Sequence, residues 1–220
     1  VDNNWALEQS LDIQWAHAMA PHATLLVVQA VSSGYSDLFS AMNYAISMRA
    51  TVISLSWGGA ESLHQLNFDK YFDLDKNVVF IASSGDTPGV MYPSASPYVL
   101  SVGGTTLRIG TKENEYVRIS EKVWYTNNTS STGGGVSVYE KKVHQHNITY
   151  TNRVTPDVSF NADPMTGVAI YNSMFSGWLK IGGTSFSAPA WAGIIAMGNQ
   201  RRNMINKPHL SNKILSQGIY

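Results

Sequence analysis

Apolar residues along this chain recur at two spacings. From Trp5 to Ala20, Leu7, Leu11, Trp15 and Met19 return at helical intervals with Ala18 beside them, and Pro21 ends the run because its nitrogen has no hydrogen for a further turn. The run Ala23 to Val31 is rich in leucine and valine and predicts a strand, followed by a helix over Asp37 to Met48 and a strand over Thr51 to Trp57. A helix over Ser62 to Leu74, a strand over Asn77 to Ser83 and another over Val99 to Thr106 continue the alternation. Strands alternating with helices predict an α/β domain: a mostly parallel central sheet with helices on both faces. From Leu107 to Tyr150 the composition shifts to Thr, Asn, Lys and Tyr with glycine punctuation, which predicts hairpin and loop insertions. The last long pattern is a helix over Ser185 to Asn203, entered through the glycine turn Gly182-Gly183.

In doubly wound sheets ligands sit at the carboxyl ends of the strands. Two of those ends carry unusual loops, Ser56-Trp57-Gly58-Gly59 and Ser83-Ser84-Gly85-Asp86, and both are candidate cleft walls. The 220 residues suit one domain, with no linker or low-complexity run to divide them. Fifteen basic and fifteen acidic side chains cancel, which removes the electrostatic motive for binding nucleic acid or an anionic membrane. The apolar runs are far too short to cross a bilayer. Without cysteine there is no thiol catalysis, disulfide or thiolate metal site. The opening Val1-Asp2-Asn3-Asn4 has neither a starting Met nor a signal peptide and reads as part of a longer precursor.

The glycine turn delivers Ser185 to a helix start, where unpaired N–H groups stabilise negative charge. Two readings follow: an ordinary N-cap, or a nucleophile. Glu8 and Asp12 stand one turn apart on the first helix, bordering its apolar stripe. Side by side, such carboxylates raise the proton affinity of one member when partly buried, although a solvated acidic edge has the same spacing. The six histidines, His17, His22, His64, His144, His146 and His209, fall in polar or chain-reversing contexts and read as surface residues; His144 with His146 is a weak metal signal without a third ligand. A carboxylate is therefore the better candidate base for Ser185. Asp86, at the end of its strand, projects toward the same mouth. Ionised it would repel an oxyanion, and protonated it could donate a hydrogen bond to one. Capping of the following turn is its structural alternative.

Glu8 with Asp12 in Glu-Gln-Ser-Leu-Asp, Asp86 in Ser-Ser-Gly-Asp and Ser185 in Gly-Gly-Thr-Ser resemble, in order and local sequence, the serine-carboxyl peptidases called sedolisins. The resemblance extends through Ser54-Leu55-Ser56-Trp57-Gly58-Gly59, Ser101 to Thr106, Thr155 to Ser159, Ala162-Asp163-Pro164 and Ala188 to Gly193. It implies a subtilisin-like α/β fold with a Ser-Glu-Asp triad in place of Ser-His-Asp, and the His-Gly-Thr turn of histidine-dependent subtilisins is not found in the sequence. By this resemblance Ser185 is the nucleophile, Glu8 the base, Asp12 the residue that orients Glu8 and shares a proton with it, and Asp86 the protonated oxyanion donor. An unperturbed carboxyl titrates near pH ~4, so the expected activity is that of an acid-active endopeptidase, or a tripeptide-releasing enzyme, on polypeptide substrates. The loop Ser56, Trp57, Gly58 and Gly59 would hold an extended substrate through its backbone, with Trp57 at a pocket wall. Asp157 and Asp163 are expected to anchor turns.

The resemblance further implies a prodomain in the precursor, a secreted or acidic vesicular location, and a Ca2+ site whose ligands would lie beyond Tyr220, leaving no metal residue to name in this chain. Residues 1–220 are thus expected to be one catalytic domain, incomplete at its ends and exposed to loss of stability or activity. A rival reading is an inactive fragment of the same fold kept as a binding or scaffold domain. Sequons at Asn127, Asn128 and Asn147 fall in the loop-rich segment where glycans would be tolerated.

Overall fold

The computed structural model describes residues 2–73 and 77–220. Helix α1 (Asn3–Met19) is started by Asp2, whose carboxylate accepts from the backbone N–H groups of Asn4 and Trp5 at 2.8 and 3.2 Å. Helix α2 (Tyr35–Ser47) leads to β1 (Val52–Leu55) and the short β2 (Gly59–Ala60). Then come β3 (Val79–Ser83), β4 (Met91–Tyr92), the long β5 (Leu100–Lys112) and β6 (Glu115–Val123). Short strands β7 (Tyr125–Asn127) and β8 (Ser130–Ser131), the pair β9 (Gly135–Lys141) and β10 (Asn152–Thr155), and β11 (Val158–Asn161) follow. The chain finishes with β12 (Val168–Asn172), β13 (Gly177–Ile181), α3 (Thr184–Met204) and α4 (Asn212–Ile219).

The central sheet runs β1-β3-β5-β11 with every neighbour parallel, and β6 joins β5 antiparallel. All five residues of β3 are buried, as a strand covered on both faces must be. Its alternation assigns the two faces. Phe80 and Ala82 pack with Phe39, Met42 and Ala45 of α2, while Val79 and Ile81 pack with Ala188 and Ile195 of α3. A third cluster joins Leu11 of α1, Phe186 and Ala190 of α3 and Ile170 of β12, so α1 is fixed against the same helix that begins at Ser185's turn. The expected mostly parallel sheet with helices on both faces is what forms, and the hairpins predicted after Leu107 appear as β5–β6, β7–β8 and β9–β10.

Two expected elements differ. Ala23 to Val31 forms no strand: Leu26 and Val27 are 44% and 50% exposed and Val31 95%. Leucine and valine content favours extended chain, but a strand exists only with a hydrogen-bonded neighbour, and none of the described pairings includes this segment. The helix expected over Ser62 to Leu74 is a pair of 3-10 turns, Leu63–Asn67 and Asp69–Tyr71, with Leu74 outside the described residues. Here a buried amide, not an apolar stripe, sets the shape. The Gln65 side chain accepts from the Ser62 N–H at 2.9 Å and donates to Glu140 at 2.7 Å, while Leu63 and Leu66 stay exposed.

Candidate active site

Helix α3 begins one residue earlier than its apolar pattern suggests, so the N-cap is Gly183 and Ser185 is the helix's second residue. The capping reading of Ser185 is therefore corrected: its hydroxyl is not used as a cap, and its backbone lies among the free N–H groups of the first turn. Gly183 has φ +119°, and a Cβ there would stand 2.7 Å from Asp86 Oδ2. Glycine is required both for the turn and for the approach of Asp86.

The structure brings Ser185, Glu8, Asp12 and Asp86 together. Glu8 and Asp12 project from α1, held against α3 by the Leu11–Phe186 cluster. The Ser185 and Ser56 hydroxyls lie close enough to the Glu8 carboxyl to favour its ionised form. Ser56 Oγ donates to Asp12 Oδ1 at 2.7 Å. Burial pushes the Glu8 carboxyl up to about 7, with the Asp86 charge adding to the rise and the two serine hydroxyls opposing it. Burial, then repulsion by Glu8, holds Asp12 well above the usual carboxylate range. The Asp86 charge acts on Glu8 and the Glu8 charge on Asp12, and both are acidic.

Asp86 sits on the exposed side of the cleft. Its Oδ1 accepts from the Thr184 backbone N–H at 2.7 Å and from Thr184 Oγ1 at 2.8 Å. Thr184 Oγ1 in turn accepts from the Gly85 N–H at 3.1 Å, which fixes the direction of its own proton. Thr184, 1% exposed, is a site residue that sequence reasoning missed. Its place between the turn glycine and the serine was the available signal.

The loop after β1 is less open than expected of a substrate edge. Ser56 is 8% exposed with its hydroxyl turned inward to Asp12. Trp57 is half-buried, packed against Tyr35 and Phe39 at ring distances of 6.1 and 5.7 Å. Gly59 pairs with Tyr92 across β2 and β4, which holds the loop in an extended form beside Gly58. Asp163 caps the turn at Met165 and accepts from Thr106, and Asp157 pairs with Arg153 and accepts from the Ser101 N–H at 2.8 Å. Both are anchors, as expected.

His17, His22, His64 and His146 are exposed, and His144 and His209 half-buried. Among the described residues, no group of three or more His, Cys, Asp or Glu side chains is placed to hold a metal ion. Nor, among them, is any helix long and apolar enough to cross a membrane. A second acidic group that sequence reasoning missed lies under the β9–β10 hairpin. Glu140, 2% exposed, accepts from Gln65 at 2.7 Å and feels the charge of Asp69, to which Tyr92 donates at 3.2 Å.

Residues 5–217 match the family described as the Subtilase family. The chain is 33% identical over 224 residues to kumamolisin from Bacillus sp. (strain MN-32), covering 88% of this chain and 39% of that protein. To sedolisin from Pseudomonas sp. (strain 101) it is 31% identical over 228 residues, covering 87% of this chain and 37% of the relative. It therefore spans about two-fifths of the length of these curated relatives. The solved structure of Pseudomonas sedolisin, a serine-carboxyl proteinase complexed with two molecules of pseudo-iodotyrostatin, superposes with a TM-score of 0.82 at 31% identity, over 100% of this chain and 67% of that one.

Proposed function

Because the chain belongs to the subtilase family, with the fold of its sedolisin members, we propose that it carries the catalytic centre of an acid-active serine-carboxyl peptidase. The observation that carries this reading is the Ser185 hydroxyl beside the buried carboxyl of Glu8, on which the charge of Asp86 also acts. Ser185 Oγ attacks the scissile carbonyl carbon as its proton passes to Glu8, and the carbonyl oxygen takes the negative charge. Collapse of the tetrahedral species returns that proton to the leaving amine and leaves an acyl group on Ser185. Water then attacks the acyl carbon as Glu8 takes its proton, and collapse breaks the bond to Ser185 Oγ, returns that proton to Oγ and releases the acid. The substrates are polypeptides, and the working compartment is extracellular or an acidic vesicle.

Acidity serves one partner and opposes another. To donate to the oxyanion Asp86 must hold a proton, and with Oδ1 committed to Thr184 the proton belongs on Oδ2. Glu8 must be ionised, yet burial lifts it to about 7. The conflict is eased by their coupling: neutralising Asp86 removes a charge that raises Glu8. Ionised Glu8 with protonated Asp86 carries as many protons as the reverse arrangement, and it is lost when both carboxyls fill or both empty. The test is digestion of an unfolded protein from about pH 3 to about pH 8, with Ser185→Ala and Glu8→Gln as controls. Cleavage peaking in acid and lost in both variants is expected. Cleavage undiminished in Glu8→Gln would end the assignment.

A further inference from the structure

Ser56, just after β1, is a buried side chain whose hydroxyl has one proton and several claimants. Asp12 Oδ1 accepts at 2.7 Å and the Ser185 carbonyl lies at 3.3 Å. The same hydroxyl also favours the ionised form of the Glu8 carboxyl beside it. The Ser185 carbonyl is available because the residue four positions on, Pro189, has no N–H to complete the helical bond. Asp12, for its part, feels Glu8 through charge and Ser56 through a hydrogen bond. Among the described residues, Glu8 Oε1 is buried without a partner.

We propose that Ser56 is the positioning residue that couples the carboxyls of Glu8 and Asp12, and that the direction of its hydroxyl sets which of them is ionised. With one proton shared by the pair, two arrangements are possible. When Ser56 donates to Asp12, Asp12 is ionised and Glu8 carries the proton, which it gives to Ser56 Oγ. When Ser56 donates to Glu8, the Asp12 proton is given to Ser56 Oγ and Glu8 is the free base. Two protons shift together between these states: one bond to hydrogen breaks and one forms at Ser56 Oγ, Asp12 gains the proton Glu8 loses, and no charge leaves the group. Only the second arrangement can accept the Ser185 proton. The groups facing Ser56 are Glu8 and Asp12 of α1 and Ser185 of α3, with Asp86 acting on Glu8 from the loop after β3.

This inference rests on the peptidase reading for its kinetic arm but not for its titration arm. In both carboxyls the Ser56 bond opposes protonation, so its loss raises proton affinity. In Ser56→Ala the acidic limb of the kcat/KM profile against a quenched peptide is expected to move up by about one pH unit. kcat should fall ~10-fold or more with KM within ~3-fold, and Ser56→Thr should restore most of the rate. In parallel, 13C-carboxyl NMR titrations of Glu8 and Asp12 are compared in Ser185→Ala with and without Ser56→Ala, where both apparent values should rise. Ser56→Cys, nearly isosteric and a weaker donor, gives the same comparison if the alanine variant does not fold. A carboxyl titration unchanged by Ser56→Ala, or by Ser56→Cys in its place, overturns the coupling, as does a threonine variant no better than alanine. Carboxyls that shift in a chain without peptidase activity would retire the peptidase reading and leave the coupling standing.

Discussion

Thr184 holds Asp86 by one oxygen only, its N–H and its hydroxyl both donating to Oδ1, at 2.7 and 2.8 Å, while Oδ2 faces Gly183. A carboxyl so held has a single place for a proton, on the oxygen that the turn leaves open.

Replacing Asp86 separates the donor from the charge. Asp86→Asn supplies a donor that needs no acid and removes a charge that raises Glu8, so activity should extend to higher pH at its alkaline limb. Asp86→Ala should lose ~10²–10³ in kcat with KM little changed. Thr184→Val, which keeps the backbone donor and loses the hydroxyl, should lose ~10-fold. Steady-state kinetics on one peptide across pH reads all three, and an Asp86→Ala enzyme as fast as the parent would remove Asp86 from the chemistry.

Gly193 sets the distance between α3, which carries Ser185, and α1, which carries Glu8. A Cβ at this position would stand 2.5 Å from Met19 Cβ and 3.3 Å from the Ala16 carbonyl oxygen. Glycine to alanine inside a helix ordinarily gains ~1 kcal/mol. Here it must push α1 aside, taking Glu8 and Asp12 with it, and a displacement of about 1 Å can cost ~10² in rate. Gly193→Ala is expected to keep its far-UV circular dichroism while losing ~10-fold or more in kcat/KM. Full activity in that variant would show that the α1–α3 spacing is not critical.

The fold itself should lose stability as pH rises. Glu140 is pushed up to about 8 by burial, with Asp69 and Glu61 adding repulsion, and Asp69 is itself raised by burial. A carboxyl whose folded value exceeds its unfolded value binds more protons when folded. Its stabilisation is complete below the unfolded value of 4.5 and is lost as pH rises through about 8. Glu8 and Asp12 act in the same direction. The Tm at about pH 5 should exceed that at about pH 8 by roughly 5 °C or more, since ~1 kcal/mol moves a domain of this size by ~2–4 °C. Glu140→Gln should narrow the gap. A Tm that rises over this interval would contradict the buried-carboxyl account.

What the sequence discloses is mainly what periodicity and local chemistry carry. The central strand, expected over Asn77 to Ser83, is legible because both of its faces are covered and its apolar run is continuous, and α1 is legible from a stripe that Pro21 cuts. Ala23 to Val31 misleads because a strand is a property of two segments, and one segment's composition holds no record of its neighbour. The turns after Ser62 mislead because Gln65 is pulled inward by Glu140, a residue distant in sequence. The site divides in the same way. Ser185, Glu8, Asp12 and Asp86 stand in distinctive local strings. Thr184 and the inward role of Ser56 depend on where those strings meet, which only the packing of α1 against α3 decides.

The central claim, that a carboxylate and not an imidazole activates Ser185, is tested most directly by trapping the acyl-enzyme. A peptide ester is mixed with the protein at about pH 5, the reaction is quenched in acid, and the modified peptide is located by mass spectrometry. The account predicts an acyl adduct on the Ser185 peptide, absent in Ser185→Ala and formed ~10³-fold more slowly in Glu8→Gln. It also predicts that replacing any of the six histidines leaves the rate within ~3-fold. An adduct on another residue, or one whose rate survives Glu8→Gln and collapses with a histidine, would contradict it.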